Sequence, residues 1–185
     1  MSIEAVTLSE ELKMEGERFS ELEIYDKVLT LSRDDTYRVY DVTTSFQKQL
    51  LWQAHLNLMM QNEQLTKKQR RLIALLKNYL PVMFDKNNTD WIRNQVIKPQ
   101  MKLFENAAKS LLGKKLAYTA LVDLKAYSGH SILKSEVPTV GVQRAAMCSC
   151  STESDWCWGS CSSGGCSQSH RQCGTLWQHK CDGGC

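Results

Sequence analysis

Apolar residues in the first two thirds of the chain recur at three- and four-residue intervals, the pattern of helices that bury one face. Leu8, Leu12, Phe19, Leu22, Val28 and Leu29 form a first stripe, with Thr7 or Ser9 placed to cap it and Glu10 and Glu11 suited to the positive end of a helix dipole. Ser32, Asp34 and Asp35 interrupt that stripe. The stretch 37–44 alternates β-forming residues, but with no second strand nearby it reads as a turn leading into a helix. A second stripe of Phe46, Leu50, Leu51, Ala54, Leu58 and Met59 spans about 43–62.

Thr66 followed by Gln69 predicts a capping box that opens a third helix, whose apolar face is Leu72, Ile73, Leu76, Tyr79 and Leu80 and whose boundary lies near Pro81. Asn87, Asn88, Thr89 and Asp90 give a loop and cap signal. Trp91, Ile92, Val96, Met101, Leu103 and Phe104 then run toward Leu111 and Leu112, with a kink or break expected at Pro99. A last helix over about 114–127 carries Leu116, Leu121, Val122 and Leu124. Four to six helices in short succession predict an all-α bundle.

The pattern stops at Ser128. Gly129, Ser131, Pro138 and Gly141 break any periodicity, so residues 128–147 read as an exposed linker, the kind of segment where proteases cut. Arg144, Ala145 and Ala146 are the cleavage candidates, although the double glycine used by many leader peptidases is missing. The expected organisation is an all-α leader domain at 1–127, the linker at 128–147, and a small cysteine-rich module with little regular secondary structure at 148–185.

Cysteine usage sharpens this division. All eight cysteines (Cys148, Cys150, Cys157, Cys161, Cys166, Cys173, Cys181 and Cys185) lie in the last module. An even, dense cluster in a Gly/Ser-rich stretch reads as a disulfide framework, which persists only outside the reducing cytosol. Successive cysteines are separated by 1, 6, 3, 4, 6, 7 and 3 residues. That spacing contains no paired zinc knuckles, so no metal or other cofactor is expected. Leu176 is the only aliphatic side chain larger than alanine after Met147. Stability of the module therefore rests on bridges, each worth about 2–4 kcal/mol, and on the indoles of Trp156, Trp158 and Trp177. Eight cysteines allow on the order of a hundred pairings, which spacing leaves open apart from disfavouring a bridge across the one residue between Cys148 and Cys150.

Charge excludes further classes. The chain carries a net charge of +3, too little for a nucleic-acid partner, and the tail has Arg171 and Lys180 against Glu153, Asp155 and Asp182. A slightly negative tail does not act by bulk attraction to anionic membranes. The run Lys67, Lys68, Arg70 and Arg71 reads as a solvated helix face. His170 and His179 lie among the cysteines, but no nucleophile, base and orienting group can be assigned, so no enzymatic site is expected; His55 and His130 need no function. The longest uncharged run in the first part, 49–62, is too short and polar to span a bilayer. Glu4, Glu10, Glu11, Glu15 and Glu17 stand where a standard signal peptide would be basic and then apolar.

Two stretches carry a resemblance. The run from Cys148 to Cys157, of the form CSCSxxSDxC, and Cys173-Gly174-Thr175-Leu176-Trp177 resemble the mature peptides of the fulvocin C-related bacteriocin family, and the helix start Leu65-Thr66-Lys67-Lys68-Gln69 is similar to precursors of that family. The resemblance implies a precursor made in a bacterial cytoplasm whose C-terminal peptide is released by a processing protease, exported and secreted as a disulfide-bonded antibacterial. Trp156, Trp158 and Trp177 would then contact a lipid or receptor of the target envelope. The chain departs from the family in ending at Cys185 and in its Gly/Ser-rich middle, 160–167, so no bridge assignment is transferred. Two other readings stay open. Ten Ser and Thr hydroxyls accompany the cysteines, enough for thioether rings of the lanthipeptide type. A cysteine-rich metal-binding or redox module on an intracellular all-α domain is the other.

Overall fold

The computed structural model describes residues 1–14, 20–124, 148, 150–157, 160–164, 166 and 172–185. Within these, helices α1 (Ile3–Met14), α2 (Glu21–Thr30), α3 (Arg33–Val42), α4 (Ser45–Met60) and α5 (Lys67–Met83) are followed by a short α6 (Asp90–Ile92), a π-helical turn (Arg93–Ile97) and α7 (Lys98–Leu121). Helix α4 lies at the centre, packed on α2 and α5; α1 packs on α3, and α5 on α7. The all-α domain followed by a disulfide-rich module is therefore the observed architecture.

Local chemistry explains most helix starts. Ser20, Ser32, Thr44, Thr66 and Thr89 each accept a hydrogen bond from the backbone N–H three residues on. Each thereby satisfies a donor that the first helical turn leaves open. At Ser20, Thr44 and Thr66 the third residue reciprocates; Gln69 Oε1 takes the Thr66 N–H at 2.9 Å, the capping box expected there.

Several boundaries differ from the sequence reading. The first stripe is two helices: α1 begins at Ile3, and Thr7 and Ser9 lie inside it, their hydroxyls returning to the carbonyls of Ile3 and Ala5. These residues are not caps because helical geometry starts upstream of them. The stretch read as a turn is mostly α3. Its alternating composition is overridden because Val39 and Tyr40 are both fully buried on one helical face. Pro81 does not end α5, which runs on to Met83 because Leu80 and Met83 remain core residues. At Pro99 the chain stays helical: the ladder widens to a π turn just upstream, which accommodates the ring and its missing N–H. The true break is at Gly113, with φ +76°, where α7 changes direction. The described helix ends at Leu121, and Tyr127 lies outside the described residues.

The second stripe is buried at Leu51, Ala54 and Met59, as expected, and differs elsewhere. Phe46 is exposed, whereas Leu51, Trp52, His55, Leu56 and Met59 face inward. On α7, Leu103 and Leu111 are exposed and the buried row is Met101, Glu105, Ala108 and Leu112. A glutamate at a core position marks where the tail attaches.

Among its described residues the tail has two minimal antiparallel pairs: β1 (Ser162–Ser163) with β4 (Gly183–Gly184), and β2 (Gln172–Cys173) with β3 (His179–Lys180). A 3₁₀ turn, Thr175–Trp177, joins β2 to β3. Trp156, Leu176 and Trp177 belong to the same hydrophobic core as the helices.

Candidate functional site: the seat of the cysteine-rich tail

All eight cysteines are paired, as Cys148–Cys166, Cys150–Cys161, Cys157–Cys185 and Cys173–Cys181. The second bridge is nested in the first. The third crosses both, tying the middle of the module to its last residue and enclosing the fourth. Asp155 supports this crossing point, its carboxylate accepting the N–H groups of Cys157 at 2.8 Å and Cys161 at 3.0 Å. Asp182 does the same between the ends of the module by accepting both the N–H and the hydroxyl of Thr152 at 2.7 Å, which holds its carboxyl below the ordinary range.

The loop closed by Cys173–Cys181 projects into the helical domain. At its tip Leu176 (φ +53°) and Trp177 (φ +54°) are both in the left-handed region, a conformation costing roughly 1–2 kcal/mol for each L-residue. Burial offsets that cost. Leu176 is fully buried, and the Trp177 indole is enclosed by Tyr37, Tyr40 and Trp52, with centroids at 4.5, 4.8 and 5.8 Å. Its Nε1–H donates to the Val122 carbonyl at 2.8 Å, and the Tyr40 hydroxyl donates to the Leu176 carbonyl at 3.2 Å while accepting from Trp52 Nε1 at 3.1 Å. Burial raises the Tyr40 phenol well above its ordinary pKa, so it remains a neutral donor. Behind Trp52 lies His55, whose Nε2 is 2.8 Å from the Thr119 carbonyl and whose Nδ1 is 3.0 Å from the Tyr25 hydroxyl. Desolvation pushes this imidazole down to about 4, so it is neutral at pH 7.

The second attachment is polar and centres on Glu105. Its Oε2 accepts the Ser154 hydroxyl at 2.9 Å and the Thr175 hydroxyl at 3.2 Å; its Oε1 meets Lys109 at 2.6 Å and Lys102 at 3.1 Å. Burial acts against the charge, but Lys109, Ser154 and Lys102 together hold the carboxyl below the ordinary range. Trp156 closes the network: its Nε1–H donates to Thr175 Oγ1 at 3.0 Å and Ser154 Oγ at 3.2 Å. Lys109 lies over the Trp156 ring, 4.3 Å from its centroid, and donates to the Asp155 carbonyl at 2.8 Å. Lys114 donates to the Cys157 carbonyl. At the rim, Glu153 takes Lys98 at 2.9 Å and His179 Nδ1 at 3.2 Å.

Of the three indoles expected at a target surface, Trp156 and Trp177 are seated in the helical domain, and Trp158 lies outside the described residues. The cleavage candidates Arg144, Ala145 and Ala146, with the whole linker, also lie outside them, as do His130 and His170. Sequence reasoning missed Glu105 and Tyr40. Glu105 carried a signal, because it completes the spacing Met101, Glu105, Ala108, Leu112 and has a lysine four residues on. Tyr40 carried none, sitting in a segment whose helical state was itself misread.

The sulfurs of Cys150, Cys157 and Cys161 lie within 4.8 Å of one another. In the oxidised protein they are bonded and offer no thiolate. Among the described residues no helix is long and apolar enough to cross a membrane. No family model, curated protein or solved structure matches the chain.

Proposed function

We propose that this chain is the precursor of a disulfide-bonded antibacterial peptide, a bacteriocin of the kind the tail resembles, released from the C-terminus by cleavage near 144–147. The helical domain is then a leader that keeps the peptide inactive by occupying its apolar face. The observation that carries this reading is the burial of Trp177 among Tyr37, Tyr40 and Trp52. The same indole is one of the three largest apolar groups of the tail, and it cannot contact both the helices and an envelope lipid or receptor. A processing protease and an exporter on the producer side are the partners this reading requires, with secretion following cleavage.

Growth inhibition of a panel of related bacteria by the oxidised chain, before and after proteolysis in the linker, tests the proposal. Inhibition by the processed peptide and none by the intact chain is the expected result; a processed peptide inert against the whole panel overturns it. The mass of the secreted tail bears on its chemistry. Four bridges lower it by about two mass units each and reverse under reductant, whereas thioether rings leave irreversible water losses.

The closeness of Cys150, Cys157 and Cys161 favours a second reading, in which the reduced tail binds a soft metal ion. Free thiols and stoichiometric zinc in protein from the producing cells would support it; fully blocked thiols would not.

A further inference from the structure

We infer that the helical domain has a second activity, as an intramolecular template that selects the disulfide pairing of the tail. It rests on the docked tail alone and is independent of any antibacterial action. A correctly bridged peptide that proved inert would remove the proposed function and leave this inference standing.

The argument begins with how little the tail can specify by itself. Its described regular structure is four two-residue strands and one 3₁₀ turn, and among its described residues the bulky apolar groups Trp156, Leu176 and Trp177 are buried in a core shared with the helices. Nothing of that size excludes most of the roughly hundred pairings open to eight thiols. Against this, α7 presents a fixed row of contacts to the segments that flank particular cysteines. Glu105 Oε2 binds Ser154, which lies between Cys150 and Cys157, and also Thr175, which lies inside the Cys173–Cys181 loop. One buried carboxylate thus aligns two segments that are 21 residues apart. Lys109 and Lys114 hold the carbonyls of Asp155 and Cys157, beside the crossing bridge. Tyr40 and Val122 fix Leu176 and Trp177, which sets the loop that Cys173 and Cys181 close. The left-handed tip of that loop is favourable only while its side chains are buried in the helices.

Each bridge forms when two thiols release two protons and two electrons to an external low-molecular-weight disulfide, which is itself reduced to two thiols; mispaired bridges rearrange by thiolate exchange with no net oxidation. The helical domain contains no cysteine, so it contributes no electrons and no competing thiol. It acts only by stabilising the arrangement in which the four observed pairs are adjacent.

The full chain, reduced completely and reoxidised in mixed reduced and oxidised glutathione, provides the test, with bridges mapped by peptide mass spectrometry and helices followed by circular dichroism. Wild type is expected to return the four observed pairs as the dominant map. Glu105→Gln, with helices intact, should lower the yield of that map about fivefold at early times, the effect of weakening one charged hydrogen-bond centre. A double variant, Ile73→Asp with Leu80→Asp, removes two core positions of α5 and unfolds the domain without altering the tail. It should scramble to a mixture. Recovery of the same map at wild-type yield with the helices lost, or by Glu105→Gln at the wild-type rate, would overturn the inference.

Discussion

Trp177 of the tail stands edge-on to Trp52 of α4, with ring centroids 5.8 Å apart and planes at 86°. The T-shaped pairing aims a positive ring edge at a negative face, adding to the area both rings remove from water. It makes a residue near the end of the chain part of the core around which the first helices pack. The stability of the helical domain and the seating of the tail are therefore one quantity in the intact protein.

Trp177→Ala tests that coupling. Truncating a buried indole is expected to cost about 3–5 kcal/mol, partly because the left-handed tip loses the burial that offsets its strain. Urea unfolding of the oxidised chain, followed by helical circular dichroism, measures it; a loss under about 1 kcal/mol would mean that the helices are stable without the tail.

The buried Glu105 carboxylate and the rim ion pair of Lys98 with Glu153 should behave differently. Glu105→Ala leaves the Ser154 and Thr175 hydroxyls and Lys109 without their buried acceptor and is expected to destabilise by about 2–4 kcal/mol. Lys98→Ala removes a solvated partner of Glu153 and should cost no more than about 1 kcal/mol. Equal effects in the same unfolding assay would contradict this account of Glu105.

Two glycines separate strain from crowding. Gly113 and Gly174 have nearly equal positive φ, +76° and +72°, but a Cβ at Gly113 meets open space. At Gly174 it would lie 2.7 Å from Ser154 Cβ and 2.8 Å from His179 Cδ2. Gly113→Ala should lose about 1–3 kcal/mol, the cost of placing a Cβ at a backbone conformation (φ +76°, ψ 156°) that is essentially confined to glycine. Gly174→Ala should lose distinctly more, because Ser154 is held by Glu105 and His179 by Glu153, and neither can retreat freely. Thermal unfolding of the two variants side by side decides it, and a smaller loss at Gly174 would be the contrary outcome.

Acid should loosen the core in a defined window. His55 is neutral in the fold with its pKa pushed from 6.5 down to about 4, so between these values the unfolded chain binds more protons than the folded one. Stability from this residue is complete above pH 6.5 and lost as pH falls toward 4, by up to about 3 kcal/mol. Glu105, held below the ordinary carboxyl range, adds a loss at lower pH as its carboxylate protonates. Urea midpoints measured from pH 7 to 4 should fall accordingly, and His55→Gln should flatten the upper part of that profile. An unchanged slope in the variant would assign the effect to other groups.

Much of this was legible in the chain itself. Thr66 and Gln69 announced their helix because a capping box is a local exchange of hydrogen bonds that needs no distant partner. Confinement of eight cysteines to the last segment announced the disulfide module, since so few apolar residues there leave cross-links as the main source of stability. The misread stretch at 37–44 shows the limit: its β-forming side chains follow the helical face that Tyr40 must present to Trp52 and Trp177, and those partners are 12 and 137 residues away.

The sequence by itself determined the helix start at Thr66, the fold class and the place of the cross-links, all of which depend on residues close together along the chain. Which cysteine meets which, that Glu105 belongs in the core, and that Trp177 faces the helices were decided only by the tertiary structure. Each depends on groups that are separated along the chain, by 8 to 28 residues for the bridges and by 49 and 70 for the Glu105 contacts, and a buried carboxylate or a left-handed indole is tolerable only once those partners surround it.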